Sequence, residues 1–213
     1  MIFYTKDVLN TINDPKVTVV AATKYFNSTE MRDLYNTGIT NFGENRVESF
    51  MEKNSELSDL DITWHLIGTL QTKKTKKIIN DIDYLHSLDT INLADEIQKR
   101  RTAPLKCFVQ VNISSEDSKH GLNIDEVIPF IQEISNHDKI VVIGLMGMAE
   151  LTDDESIINQ EFQKLNDLQI LIKEELDLEL PELSIGMSND YLIAMKHKAT
   201  FLRLGSVLFK KEV

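Results

Sequence analysis

Cysteine is almost missing from this chain. Cys107 stands alone among 213 residues, so no internal disulfide can form. It sits in the apolar run Cys107-Phe-Val-Gln-Val, where a buried packing role is expected in place of a reactive thiol. Positive charge is also scarce. Lys and Arg number 23 against 34 Asp and Glu, a net charge of −11. That balance excludes a nucleic-acid backbone as the main partner, because phosphates need a basic footprint. The one basic run, Lys73, Lys74, Lys76 and Lys77, reads as the solvated face of a helix. No apolar stretch approaches the roughly 20 residues of a membrane span. The opening MIFYTKDVLNTINDP has no signal-peptide core. The expectation is a cytoplasmic protein with no membrane and no nucleic-acid partner. Glycine is sparse as well, and no Gly-x-Gly-x-x-Gly follows the first strand, which weighs against a dinucleotide fold.

What is present is alternation. Short apolar runs rich in β-branched residues each precede a segment of helical spacing. Eight runs read as strands: Val17–Ala22, Asn41–Phe42 with its neighbours, Ile62–Ile67, Tyr84–Leu88, Cys107–Ile113, Ile140–Met146, Leu183–Ile185 and Phe201–Leu204. Helices are expected over Thr29–Asn36 with Ser28 as cap and Gly38 as stop, and over Thr72–Asn80, Ile91–Arg101, Ile124–Ser135, Glu155–Leu176 and Asp190–His197. Pro129 falls inside the fourth of these, so that helix starts later or is kinked. Strands that are apolar nearly throughout belong to a parallel sheet covered by helices. Eight such units in this length fit a single (β/α)8 TIM barrel, an α/β fold with little decoration. An open doubly wound sheet is the alternative.

In a barrel, chemistry gathers at the carboxyl ends of the strands. The first strand ends in Lys24. A lysine partly desolvated at a barrel mouth has a lowered pKa and a nucleophilic amine, which can form a Schiff base with an aldehyde. A snorkelling lysine at a strand end is the plainer reading. The second strand ends in Gly43-Glu-Asn-Arg46, whose Asn45 is either a mouth ligand or a helix cap. His65 and His86 lie on the third and fourth strands, and His65 reads as a satisfied structural histidine. The seventh strand leads into Ser188 and the eighth into Arg203-Leu-Gly-Ser206. Loops after strands seven and eight are the frequent phosphate site of barrels. A phosphate cradle facing a lysine suits a phosphorylated aldehyde, and both pyridoxal phosphate and a sugar phosphate qualify.

These residues resemble one family, the pyridoxal phosphate homeostasis proteins (the YggS/PROSC family). The matching segments are Val20-Ala-Ala-Thr-Lys24, Asn41-Phe-Gly-Glu-Asn-Arg46, Trp64-His-Leu-Ile-Gly-Thr-Leu-Gln71, Gln110-Val-Asn-Ile-Ser114, Ser118-Lys-His-Gly121, Gly144-Leu-Met146, Ser184-Ile-Gly-Met-Ser-Asn-Asp190 and Arg203-Leu-Gly-Ser206. The resemblance implies one barrel domain over residues 1–213, like the N-terminal domain of alanine racemase. It implies pyridoxal 5′-phosphate (PLP) as cofactor and Lys24 as its Schiff-base lysine. Ser188, Gly205 and Ser206 would hold the phosphate, with Arg203 and Asn45 near the ring. The implied function is a monomeric carrier that maintains the PLP pool without turnover, with apo PLP-dependent enzymes as recipients. The expectation of no turnover also draws on the absence, within this sequence, of a second domain that would close the cofactor face. A PLP-dependent racemase or lyase, and a class I aldolase, are the competing readings.

Overall fold

A computed structural model describes residues 2–114 and 120–210. Its centre is a closed barrel of eight parallel strands: β2 (Thr18–Ala22), β3 (Asn41–Glu44), β4 (Thr63–Leu66), β5 (Tyr84–Leu88), β6 (Leu105–Gln110), β7 (Ile140–Met146), β8 (Glu182–Ser184) and β9 (Phe201–Leu204). Closure runs through β2 and β9, where Thr18 pairs with Phe201 and Val20 with Arg203. All eight expected strands are present, and the fold is the (β/α)8 barrel. Ahead of it lie β1 (Ile2–Phe3) and α1 (Thr5–Ile12); β10 (Phe209–Lys210) follows and pairs antiparallel with β1.

The remaining helices are α2 (Ser28–Tyr35), α3 (Val47–Glu56), α4 (Ile91–Arg100), α5 (Ile124–Glu133), α6 (Glu155–Leu176) and α7 (Tyr191–Lys196). Asn27, not Ser28, caps α2: its side chain accepts from the Glu30 N–H while Glu30 reaches back to the Asn27 N–H. This reciprocal box satisfies two end donors at once, which a serine one residue later would not. The expected helix at 72–80 is a 3-10 helix, Thr72–Lys77, on which Lys73, Lys76 and Lys77 are exposed. Four lysines within six residues repel one another along any single turn, and only Thr75 of that element is buried. Helix α5 does start at Ile124, so Pro129 lies inside it and offers no N–H to the Asp125 carbonyl. Two helices had no counterpart in the sequence reading. Helix α1 is short and buries only Thr5, Val8 and Ile12. In α3 a lysine breaks the apolar stripe: the buried positions are Val47, Phe50 and Lys53.

Lys53 can be buried because Glu44 meets it. Its Nζ donates to Glu44 Oε1 at 2.6 Å and to the Thr23 carbonyl at 2.7 Å. Thr23 Oγ1 and Ser49 Oγ donate to the same carboxylate. A buried pair is tolerable only when its remaining lone pairs are satisfied in this way. The ion pair ties α3 to the end of β3, and the bond to Thr23 ties it to the residue that follows β2, just before Lys24.

Side chains alternate along each strand, so each strand faces two ways. One set faces the helices and forms the main core, including Val19, Phe42, Trp64, Cys107, Val109, Leu145, Leu183 and Leu202. The other set faces the barrel axis, where the apolar cluster is small: Val20, Phe108, Met146 and Phe201. Partly buried Ile67, Tyr84, Ile143 and Met148 pack against them, and polar side chains are threaded between.

Candidate functional site

The alternation sorts the candidate residues before any distance is measured. Val20 faces the axis, so Lys24, four residues on, continues that face past the end of β2. Phe42 faces out, which turns Gly43 and Asn45 inward. Gly43 leaves no room for more: a Cβ there would sit 2.9 Å from Val20 and 3.0 Å from Ile67. Phe201 faces in, and Arg203 and Gly205 follow it.

Lys24, Ser188, Arg203, Gly205 and Ser206 line one cavity of about 290 Å³ at the carboxyl end of the barrel. Ala22, Tyr25, Met187, Asn189 and Phe209 complete its wall. Asn45 lines the adjoining cavity, of about 450 Å³, which shares Lys24 and Tyr25 and is completed by Glu44, Arg46 and Ser49. Five of the six candidates therefore share one cavity, and Lys24 stands between that cavity and the sixth. Asn45 is not a helix cap; Arg46 occupies that position at α3. Its Oδ1 is buried without a hydrogen-bond partner. A buried, unused acceptor of this kind is costly and calls for a ligand donor.

Lys24 itself is exposed, with Nζ 4.9 Å from the centre of the Tyr25 ring. The expected desolvation of this lysine is not seen, because it stands beyond the last strand residue, above the barrel wall. Opposite it, the Ser188 hydroxyl accepts from the Gly205 N–H at 3.0 Å and the Val207 N–H at 3.4 Å. The loop before Ser188 turns at Gly186, whose φ is +87°. A Cβ at Gly186 would meet Ala194 at 2.7 Å and Leu202 at 2.8 Å, so only glycine brings this loop onto β9.

Arg203 is 5% exposed and holds its place through neutral acceptors. Nη1 donates to the Ser184 carbonyl at 2.5 Å and to Ser184 Oγ at 2.6 Å, and Nη2 donates to the Gly147 carbonyl at 2.9 Å. Burial lowers its pKa to about 10, partly opposed by the attraction of Asp190, so it remains a cation at neutral pH. From Ser184 the polar chain continues across the axis. Ser184 Oγ lies 2.8 Å from His86 Nδ1, His86 Nε2 lies 2.9 Å from His65 Nδ1, and His65 Nε2 lies 3.0 Å from Asn41 Oδ1. Both imidazoles are fully buried. Burial takes His65 down to about 3, and burial followed by the charges of His65 and Arg203 pushes His86 well below its usual value. Both are neutral near pH 7. His65 stacks on Tyr84 at 4.5 Å and His86 on Phe108 at 4.5 Å. His65 is the satisfied core histidine of the sequence reading, now with named partners.

No role for Ser184, His86 or Asn41 was legible in the sequence, and neither were Met187, Tyr25 or Phe209 as cavity residues. For Ser184, His86 and Asn41 the inward strand position was the available signal; Met187, Tyr25 and Phe209 lie outside the barrel strands. Ser118 and Lys119 of the Ser118-Lys-His-Gly121 segment lie outside the described residues; Gln110 donates to the His120 carbonyl at 3.2 Å.

Comparison with known proteins places this geometry. The model of the alanine racemase N-terminal domain matches residues 11–212. A pyridoxal phosphate homeostasis protein of Aquifex aeolicus is 38% identical over 185 residues, covering 84% of this chain and 80% of that protein. The chain belongs to the pyridoxal phosphate homeostasis family. A pyridoxal phosphate homeostasis protein of Mus musculus is 35% identical over 210 residues, 92% of this chain and 76% of the mouse protein. The solved structure of PipY from Synechococcus elongatus with PLP bound superposes with a TM-score of 0.88 at 29% identity, covering 97% of this chain and 98% of that one. An alanine racemase of Clostridium difficile shares the barrel at a TM-score of 0.82 and 10% identity, over 98% of this chain and 56% of the racemase. At that identity the likeness is one of fold alone.

Proposed function

We propose that this chain is a PLP carrier: one barrel domain over residues 1–213 that holds the cofactor as a Schiff base on Lys24 and maintains its supply in the cytoplasm without turning over a substrate. The observation that carries the reading is the convergence of Lys24, Ser188, Arg203, Gly205 and Ser206 on a single cavity at the barrel mouth. A second observation supports the fit. PLP carries a ring hydroxyl beside its aldehyde, and the buried, unpartnered Asn45 Oδ1 adjoins Lys24. Ser188, Gly205 and Ser206 would take the phosphate through hydroxyl and main-chain donors, and Arg203 would take the ring side. When bound, the cofactor supplies an electrophilic aldehyde; the chain supplies the amine, the phosphate seat and the orientation. The PLP-bound PipY structure supports PLP binding, and the relatives named as homeostasis proteins support carriage over catalysis. The protein would act as a monomer and pass PLP to apo PLP-dependent enzymes.

The test is the absorption spectrum with added PLP, for the unaltered chain and for Lys24→Ala. A Schiff-base band that vanishes in the variant, with cofactor passing to an apo-enzyme and no steady amino-acid turnover, is the expected result. Sustained racemisation or cleavage of an amino acid, lost in Lys24→Ala, would replace the carrier reading with a catalytic one. Borohydride trapping of a sugar phosphate on Lys24 in PLP-free protein would point to an aldolase.

A further inference from the structure

We propose that His65, His86 and Ser184 form a positioning chain whose task is to fix Arg203 as a hydrogen-bond donor toward the cofactor cavity. The proposal rests on the reading that PLP lies in the cavity beside Arg203.

At the two ends of the chain, donor and acceptor are not interchangeable. A guanidinium only donates. Arg203 Nη1 therefore gives a hydrogen to Ser184 Oγ at 2.6 Å. At the far end Asn41 Oδ1 only accepts, so His65 Nε2 carries a hydrogen toward it across 3.0 Å. Asn41 Nδ2 faces Thr40 Oγ1 at 3.4 Å. A neutral imidazole has one donor and one acceptor. His65 Nδ1 is then bare and must accept from His86 Nε2–H at 2.9 Å. His86 Nδ1 is bare in turn and accepts from Ser184 Oγ–H at 2.8 Å. Every hydrogen in the chain points away from Arg203. Both histidines take the Nε2–H tautomer, and neither can gain a proton without breaking a link.

What this does for Arg203 follows from what it lacks. Among the described residues no carboxylate pairs with its guanidinium; the three acceptors are the Ser184 carbonyl, Ser184 Oγ and the Gly147 carbonyl. A partner carboxylate would anchor the cation more strongly but would also draw its charge away from the cavity. A neutral acceptor fixes the position and leaves the charge free to face a ligand. Ser184 Oγ is a good acceptor only if its own hydrogen goes elsewhere, and His86 Nδ1 takes it. His86 can do so only because His65 accepts from its other nitrogen. Each link sets the polarity of the next.

Ser184 is the link to test, because removing its hydroxyl leaves the packing almost unchanged. In Ser184→Ala, the rate of PLP release should rise about tenfold, the expected size for one hydrogen bond to a charged group. The Schiff-base band should shift, and thermal unfolding should come somewhat earlier, because His86 Nδ1 is left a buried acceptor without its donor. Ser184→Thr keeps the hydroxyl and should restore the release rate. Nitrogen NMR on the cofactor-free protein reads the chain by itself and should show both histidines as Nε2–H tautomers. Release from Ser184→Ala at the unaltered rate, or a His86 Nδ1–H tautomer, would overturn the positioning role while leaving the carrier reading intact. If the unaltered protein gives no Schiff-base band at all, the carrier reading fails and this role fails with it.

Discussion

The two faces of the same sheet are built on different principles. The face toward the helices is a continuous apolar layer, in which Phe42, Phe50, Phe162 and their neighbours are almost wholly buried. The face toward the axis has four buried apolar residues and, threaded among them, a hydrogen-bonded line of Asn41, His65, His86, Ser184 and Arg203. The outer layer holds the barrel together by area removed from water, which is non-directional and tolerant of sequence. The inner face holds one cation by directed bonds, each of which needs a specific partner. Stability should therefore live outside and ligand geometry inside.

The largest effect tests the outer layer. Phe162 on α6 is fully buried, with its ring 6.0 Å from that of His197. Phe162→Ala should cost about 3–5 kcal/mol in chemical denaturation, the range for emptying an aromatic site in a core. The fraction that remains folded should still bind PLP with the same spectrum. A changed spectrum at equal folded fraction would mean that the two faces are not separable.

This division also explains what could be read from the sequence. An apolar strand followed by a helical stripe is a local pattern, so all eight barrel strands were visible, including the three-residue β8. Local patterns failed where charge intervened. Lys53 hid α3, since its partner Glu44 is nine residues away and on a strand. The inner line was invisible for a stronger reason. Its links join residues 24, 21, 98 and 19 positions apart, and only closure of the barrel brings them together. Lys24, Ser188, Arg203, Gly205 and Ser206 emerged as candidates through strand ends and family resemblance, and folding brings them to the wall of one cavity. The sequence did not separate Asn45 from them, because its strand end looks like any other; the neighbouring cavity is a property of the folded mouth.

Acid should reveal the inner face next. His65 is held at about 3 by burial, and His86 is also pushed well down. In the unfolded chain each would titrate near 6.5. Between these values the unfolded state binds more protons than the folded one, so stability falls as pH drops through 6.5 and continues to fall toward 3. Each histidine contributes a slope approaching about 1.4 kcal/mol per pH unit in that window. Thermal melts from pH 7 to pH 4 should show this decline, and His65→Asn should make it shallower. Equal slopes in the two proteins would mean that the inner histidines are not held neutral.

The smallest effect sets one hydroxyl against another. Cys107 lies in the outer layer, fully buried, with Sγ 3.6 Å from the Leu105 carbonyl. Burial pushes its thiol pKa up, so a thiol reagent should leave it untouched in the folded protein and modify it after unfolding. Cys107→Ser puts a hydroxyl into this dry layer and should cost about 1–3 kcal/mol, the price of burying a poorly partnered polar group. PLP release should not change. Ser184→Ala makes the opposite exchange on the opposite face; it should also melt somewhat earlier, since buried His86 Nδ1 loses its donor, but it alone should speed release. If Cys107→Ser alters release, or Ser184→Ala leaves it unchanged, the two faces do not carry separate duties. The small size of both substitutions is what gives the comparison its force, since neither opens a large cavity and each changes only where a hydroxyl lies.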